Sequence, residues 1–465
     1  MEHRPVVIIG AGPAGLTAAY QLVKRNIRPI VIEKSDKVGG LARTENYNGY
    51  RFDIGGHRFF THLEEVEKLW EEVLGDDFIK VARLSRIYYQ GRYFNYPLNV
   101  FNTISNLGIV ESLLIFLSYF RARLWPHPEE ETFDHWVINR FGQRLYQKFF
   151  KTYTEKVWGI PCHAIQADWA AQRIQGLSLK TVVSNALFGS NHNHAKTLIH
   201  EFHYPILGPG IMWQRFHEYI EEQGGGTYLN SEVARFRRSA HRVQEISLKQ
   251  GERIIEIHGE NFISSIPLTE LVFRLDPPAP NEVLEAARHL IYRSFVLVGL
   301  IINRSDLFPD QWIYVHNPEV KVGRIQNFRN WSPRMIPDPD KTSLGMEYFC
   351  TEGDEIWKRP DWELLKLAMK ELVHLGMVKA AEVEDGVVFR QSKAYPVYDN
   401  EYHLHLQVIR NFLSTIENLQ TIGRNGLHRY NNQDHSMLTG MLAAENILGA
   451  KHDVWELSKS QEYLE

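Results

Sequence analysis

The chain has 465 residues, 44% of them hydrophobic, and a formal net charge of −4 at pH 7. That length supports two or three interwoven lobes with a substantial core, and the charge balance leaves no footprint for nucleic acid or an anionic membrane. Two cysteines, Cys162 and Cys350, exclude a disulfide framework and fit a reducing compartment, so a cytoplasmic location is expected. No charged-then-apolar leader precedes the first apolar run, so no signal peptide is expected.

The first predicted unit sets the frame. Val6-Val7-Ile8-Ile9 runs into Gly10-Ala11-Gly12-Pro13-Ala14-Gly15, a helical pattern continues from Leu16 to about Lys24, and a second apolar run, Ile30 to Ile32, ends at Glu33. Strand, glycine turn, helix and strand in this order make a dinucleotide-binding unit. Gly10 permits the tight turn, Gly12 lets a pyrophosphate approach the backbone, and Gly15 lets helix and strand pack closely. Pro13 and Ala14 open the helix, whose free N–H groups and positive dipole end suit phosphates. Glu33, with Lys34 beside it, stands where a carboxylate accepts a ribose hydroxyl. Two more glycine pairs follow, in Gly39-Gly40-Leu41-Ala42-Arg43 and in Phe52-Asp53-Ile54-Gly55-Gly56-His57. A planar flavin ring must lie against bare backbone, so these pairs point to FAD rather than a nicotinamide dinucleotide alone.

Farther along, a helix is predicted near Leu63, and a hairpin between Arg86 and Pro97 turning at Gln90-Gly91. From about Val100 to Gly189 the pattern is mainly helical and aromatic-rich, broken at Pro126-His127-Pro128. Its most apolar stretch, Gly108 to Phe120, is too short to span a bilayer and contains Glu111. It reads as a buried or subunit-interface helix, with membrane contact the sharper alternative. A helix opening near Gly210, a short strand through Val233, a strand end at Phe262 to Pro267 and a helix over about Asn281 to His289 follow. Three apolar strands, Phe295 to Ile302, Gly323 to Phe328 and Ser343 to Phe349, suggest one wall of a pocket. The last lobe carries Tyr395-Pro396, a helix near Leu404 to Phe412, a strand ending at Gly423, and a helix starting near Asp434. His192, His194, His403 and His405 lack a third ligand or helical spacing, so no metal site is expected.

The glycine fingerprint, Phe52 to His57, and Gly423-Arg424 followed by Tyr430-Asn431-Asn432-Gln433-Asp434-His435-Ser436 resemble the UDP-galactopyranose mutase family, particularly its larger eukaryotic-type members. Flavin amine oxidases and protoporphyrinogen oxidases are its broader relatives. Lys156-Val157-Trp158, the stretch Trp169 to Gly189 with Arg173, the segment Arg324 to Pro333, and Tyr395-Pro396 extend the resemblance through nearly the whole chain. It implies an α/β fold: a Rossmann-type, glutathione reductase-like FAD-binding domain with an inserted helical lobe and a mixed or antiparallel substrate sheet. The FAD-binding domain is expected over 1–65, 205–275 and 415–455. The helical lobe is expected over 66–85 and 98–200, the substrate sheet over 86–97 and 281–400, and a tail over 456–465.

The resemblance further implies a redox-neutral pyranose/furanose mutase in which reduced FAD, through N5, displaces UDP from the anomeric carbon of a nucleotide-diphosphate sugar such as UDP-galactose. NAD(P)H is a candidate reductant and a homo-oligomer a candidate assembly. Arg173 and Arg324, with Tyr395 and Tyr430, are expected at the diphosphate, where rigid guanidinium forks bridge phosphate oxygens. His57 is expected beside the flavin edge, Trp158 at the pocket wall, and Asn432 at the substrate. Gly10 to Gly15, Glu33, Lys34, Gly39 to Arg43, Gly55 to His57, Val233, Gly423, Arg424, Gln433, Asp434 and Ser436 are expected to hold FAD. Thr154 and the short turn from Tyr430 to Gln433 depart from the family pattern where base and sugar are recognised. Two alternatives stay open: a flavin oxidase or dehydrogenase with an apolar pocket, and a flavin-free binding protein of the same architecture.

Overall fold

The computed structural model describes residues 2–167 and 201–457. Strand Glu2–Ile9 lies in the middle of the first sheet, parallel to Ile30–Ile32 on one side and to Arg253–Ser264 on the other, with Val7 between Ile30 and Phe262. Gly226–Tyr228 and Leu419–Thr421 extend this parallel core at its two sides. An antiparallel meander, Glu232–Ser239, Arg242–Gln250 and Arg253–Ser264, leads on from it.

The run Val6 to Ile9 is apolar at every position because both faces are covered. Val6 and Ile8 meet the helices Pro13–Val23, Glu64–Leu74, Gly210–Glu222 and Gln433–Ile447. Val7 and Ile9 meet a second core that includes the meander and the helices Asn281–His289 and Tyr402–Leu413. Two segments therefore pack differently from expectation. Helix Glu64–Leu74 inserts Val66, Leu69 and Trp70 beside the fingerprint helix rather than into the helical lobe. Helix Asn281–His289 inserts Val283 and Ala286 into the first sheet's core rather than against the substrate sheet. In each, an apolar stripe follows the nearest open face.

The second sheet has the order Val383–Pro396, Tyr292–Ile302, Thr342–Cys350, Arg324–Asn327, Trp312–Val315, Ser85–Tyr89, Arg92–Asn95. It is antiparallel except where Trp312–Val315 runs parallel to Ser85–Tyr89. Along Tyr292–Ile302, Phe295 and Leu297 face the aromatic helical lobe, while Val296 and Val298 face helix Asp361–His374.

Of the two readings for Gly108 to Phe120, a buried helix or a subunit-interface helix, the buried one does not hold. The segment forms helix Ile109–Leu124 on the surface, and of its large apolar side chains only Ile115 is buried.

Candidate active site

Two glycines bring two helix starts together. A Cβ on Gly15 would lie 2.0 Å from the Gly10 carbonyl oxygen, and one on Gly440 would lie 2.3 Å from the Ala14 carbonyl oxygen. Only hydrogen at these positions lets helix Pro13–Val23 lie on its strand and helix Gln433–Ile447 lie on helix Pro13–Val23. Both helices begin at one cleft with about 1540 Å³ of empty space. Their N-caps, Gly12 and Asn432, provide no side-chain cap, so the first-turn N–H groups are available to an anion there.

The cleft walls carry most of the expected cofactor residues. Gly10, Gly12, Pro13, Ala14, Glu33 and Lys34 line one stretch, and Gly40, Leu41, Ala42 and Arg43 the next. Val233, Gly423, Arg424, Asn432, Gln433 and Ser436 close the opposite side. Gly15 and Gly39 stand behind the wall; Gly39, at φ +101°, donates its N–H to the Ala11 carbonyl at 2.8 Å. Glu33 is buried and already receives Ala11 N–H at 2.8 Å on Oε2, with Ser35 N–H at 2.9 Å and Ser35 Oγ at 2.8 Å on Oε1. A carboxylate has about four acceptor sites, so one on Oε2 is left for a hydroxyl. Arg43 braces the glycine turn, with Nε on Glu45 at 2.7 Å and Nη1 on the Gly40 carbonyl at 2.9 Å and Gln391 Oε1 at 2.6 Å.

At its inner end the cleft opens into a second chamber with about 980 Å³ of empty space, and Leu41, His57, Arg424, Asn432 and Gln433 line both. Gly55, at φ +103°, and Gly56 bring bare backbone to this chamber. His57 Nε2–H donates to the Ile54 carbonyl at 2.8 Å. Burial pushes the His57 pKa down to about 4, and the cations of Arg424 and Arg324 push the same way, so the imidazole is neutral at pH 7.

Arg324, at the start of strand Arg324–Asn327, reaches the chamber with Nη1 only 3.6 Å from where a Gly56 Cβ would sit. Its Nε lies 3.2 Å from Oε2 of the fully buried Glu347, whose Oε1 accepts Gln326 Nε2 at 2.6 Å. Burial works most strongly against the guanidinium charge, but Glu347 together with the Tyr153, Tyr395 and Tyr314 oxygens outweighs it and holds the Arg324 pKa well above the ordinary value. Tyr395 and Tyr430 stack at 5.5 Å with rings 12° apart, and the Arg424 guanidinium carbon lies 4.5 Å from the Tyr430 centroid. Arg424 is steered there by Nε on the Asn431 carbonyl at 2.9 Å and Nη1 on the Ala394 carbonyl at 3.2 Å. Three arginines, Arg58, Arg324 and Arg424, thus line one chamber with Tyr395 and Tyr430, and the Asp434 carboxylate is the acid in its wall.

Other expected residues fall elsewhere. Trp158 is 2% exposed in the aromatic core, with its ring 6.4 Å from Tyr430, which lines the chamber, and 6.3 Å from Tyr398. Lys156, two residues earlier, donates to the carbonyls of Val315, Asn317 and Val322, tying its helix to the second sheet. Arg173 lies outside the described residues, as do His192 and His194. Sequence reading missed Phe295, Trp312, Tyr314 and Trp331 in the chamber wall, and Glu347 behind Arg324. The one signal for Glu347 is a lone carboxylate inside the apolar run Ser343 to Phe349.

The fold and the paired clefts define a flavoprotein architecture, and the chain belongs to the flavin containing amine oxidoreductase family, whose model matches residues 13–423. A crystal structure of reduced UDP-galactopyranose mutase superposes with a TM-score of 0.84, 22% identity and coverage of 98% of both chains. A probable UDP-galactopyranose mutase of Klebsiella pneumoniae is 24% identical over 168 residues, 34% of this chain and 42% of that protein. Coproporphyrinogen III oxidase of Mycobacterium leprae is 23% identical over 432 residues, 86% of this chain and 89% of that protein. Three further curated relatives are matched over only 50%, 21% and 54% of their own lengths.

The cleft suits the flavin that the family carries. Gly12 and Gly40 face each other with a hypothetical Gly40 Cβ 3.1 Å from Gly12 Cα, leaving a side-chain-free cradle. Gln433 Oε1, Asn431 Nδ2 and both carboxylate oxygens of Asp434 are buried at the start of helix Gln433–Ile447 with no hydrogen-bond partner among the described residues, Asp434 Oδ1 having only His435 Nδ1 at 3.3 Å beside it. Buried polar atoms left this way call for a polar ligand.

Proposed function

We propose that this chain is a flavin-dependent nucleotide-sugar mutase, converting a UDP-linked hexose between pyranose and furanose forms with no net redox change. The observation that carries this reading is the pair Arg324 and Arg424, set with Tyr395 and Tyr430 in a chamber that adjoins the cofactor cleft. A diphosphate bearing about two negative charges is matched by guanidinium forks and neutral phenol donors, whereas an apolar substrate has no use for them.

Bound reduced flavin supplies the electron-rich centre that meets the anomeric carbon. The protein's own task is to hold the leaving diphosphate and exclude water. Arg324, kept charged by Glu347, stabilises the charge that develops on the departing phosphate, and Tyr395 and Tyr430 direct their hydroxyls toward the same group. Arg173 is proposed as a further cation of this clamp. His57, neutral and bonded to Ile54, orients the flavin edge without adding charge. Asn432, shared by both clefts, contacts the substrate where it meets the cofactor. Phe295, Trp312 and Trp331 give the chamber its dry wall.

The test is anaerobic incubation of dithionite-reduced protein with a panel of UDP-hexoses, followed by chromatography for furanose products. Turnover without stoichiometric use of reductant is expected, and oxidised protein should be inactive. The aromatic wall and the likeness to a coproporphyrinogen III oxidase over 86% of this chain favour a second reading, oxidation of a carboxylated substrate held by the same arginines. Oxygen consumption with a porphyrinogen, and no furanose from any sugar, would decide for it.

A further inference from the structure

Helix Ile109–Leu124 is amphipathic in the inverted sense, with its polar side turned toward the protein. Glu111 accepts Arg144 Nε at 2.6 Å and Nη2 at 2.9 Å, with Lys148 Nζ 3.4 Å away, and Ser118 Oγ accepts the Arg144 backbone N–H at 3.1 Å. Gly142 lies so close that a Cβ there would come within 2.7 Å of the Tyr119 nitrogen. An ion pair and a bare-backbone contact thus fix which side faces out. The outer side carries Ile109, Val110, Leu113, Leu117, Phe120 and Leu124, of which Ile109 is 81% exposed, Leu113 57% and Leu117 55%. Helix Val100–Leu107 beside it adds exposed Phe101, and between the two runs an apolar groove with about 710 Å³ of empty space that includes Ile104, Ile115, Phe116 and Phe141. Soluble proteins rarely leave so continuous an apolar face uncovered.

The charges on this outer face decide what covers it. Glu111 is the one carboxylate of the two helices, and it is turned inward and paired. The charged residues of the outer face are Arg121 and Arg123 in the last turn, followed by exposed Trp125. Glu130, the acid within electrostatic range of Arg123, is bonded to Arg140 at 2.7 Å. In a two-fold contact the patch would meet itself, burying arginines with no anion on either side to receive them. A phospholipid surface provides both an apolar layer and phosphates at its edge, and Arg and Trp beside an apolar stripe are suited to that boundary. The helix is too short to cross the bilayer, and no described helix is long and apolar enough to do so. We propose that the helices Val100–Leu107 and Ile109–Leu124 dock this protein in the plane of an anionic bilayer surface. The net charge of −4 averages over this local patch and conceals it.

The experiment is flotation of the flavin-loaded full-length protein with phosphatidylcholine vesicles, with and without phosphatidylglycerol. The protein should float with the anionic vesicles, and Arg121→Glu should weaken binding by roughly fivefold or more, the scale of one cation at such a surface. Leu113→Asp with Leu117→Asp, both on the solvent side, should abolish flotation while flavin absorbance is retained. An arm that needs no destabilising change uses brominated lipid, which should quench wild-type tryptophan emission more than that of Trp125→Phe. Protein that stays unbound with both vesicle types, or equal quenching in the two proteins, overturns the proposal. So does a dimer that the Leu113/Leu117 change splits in the absence of any lipid binding, which would assign the face to a second copy.

Discussion

Arg324 shows how a single side chain acquires its function from residues that are distant in sequence. The strand places it at the chamber, Glu347 on the neighbouring strand fixes its charge, and Gly56 leaves room for its Nη1. Arg324→Ala is expected to lower kcat/KM of the reduced enzyme by about 10²–10³-fold, the scale of removing one preorganised charge-stabilising donor. Arg324→Lys should recover little of it, because an ammonium lacks the planar fork. Steady-state assays on protein with unchanged flavin absorbance check this, and a variant with wild-type turnover would remove Arg324 from the clamp. Arg324, Tyr395 and Tyr430 were legible in the sequence because their motifs carry them. The burial of Trp158 was not legible, because a tryptophan facing a ligand and one facing the core have the same local pattern.

Among the elements, the contact of helix Pro13–Val23 with its strand and with helix Gln433–Ile447 has no slack. Gly15→Ala and Gly440→Ala each place a methyl about 1 Å inside ordinary contact with a backbone carbonyl that cannot swing aside. Each is expected to cost about 1–3 kcal/mol by overpacking. Because both helix starts form the cleft, each variant should also purify with less flavin. Urea midpoints and the flavin-to-protein absorbance ratio measure the two effects, and a variant matching wild type in both would mean that the helices part freely. The first contact was legible, since Gly-x-Gly-x-x-Gly has its spacing for that reason, whereas nothing local marks Gly440. Helix Asn281–His289 and the hairpin at Gln90-Gly91 form where periodicity and turn residues put them. Strand Val383–Pro396 escaped notice because its half-buried, charge-bearing residues show neither alternation nor an apolar run.

Across the whole molecule, buried ionisable groups set the response to acid. Burial lowers the pKa of His57 and His428 to about 4 and that of His316 to about 3, while burial raises that of Asp53 to about 7. Between about pH 5 and 6 each of these histidines is neutral in the folded chain and takes up a proton on unfolding, whereas Asp53 holds a proton that unfolding releases. Three uptakes against one release leave a net gain of protons on unfolding, so stability should rise with pH across that window. Urea unfolding at several pH values in that window measures the slope. A flat or falling profile would contradict the neutral, buried state of these histidines.

The sequence alone determined the dinucleotide unit, the order of its strands and helices, and the family motifs at the cofactor. Each depends on residues adjacent in the chain, where glycine spacing and apolar period act directly on the backbone. Only the tertiary structure decided that Arg424 shares a chamber with Arg324, that Glu347 stands behind Arg324, that Trp158 is core, and that an apolar helix face points outward. Those outcomes depend on which surfaces meet, and packing between segments separated in the chain leaves no periodic trace in either one.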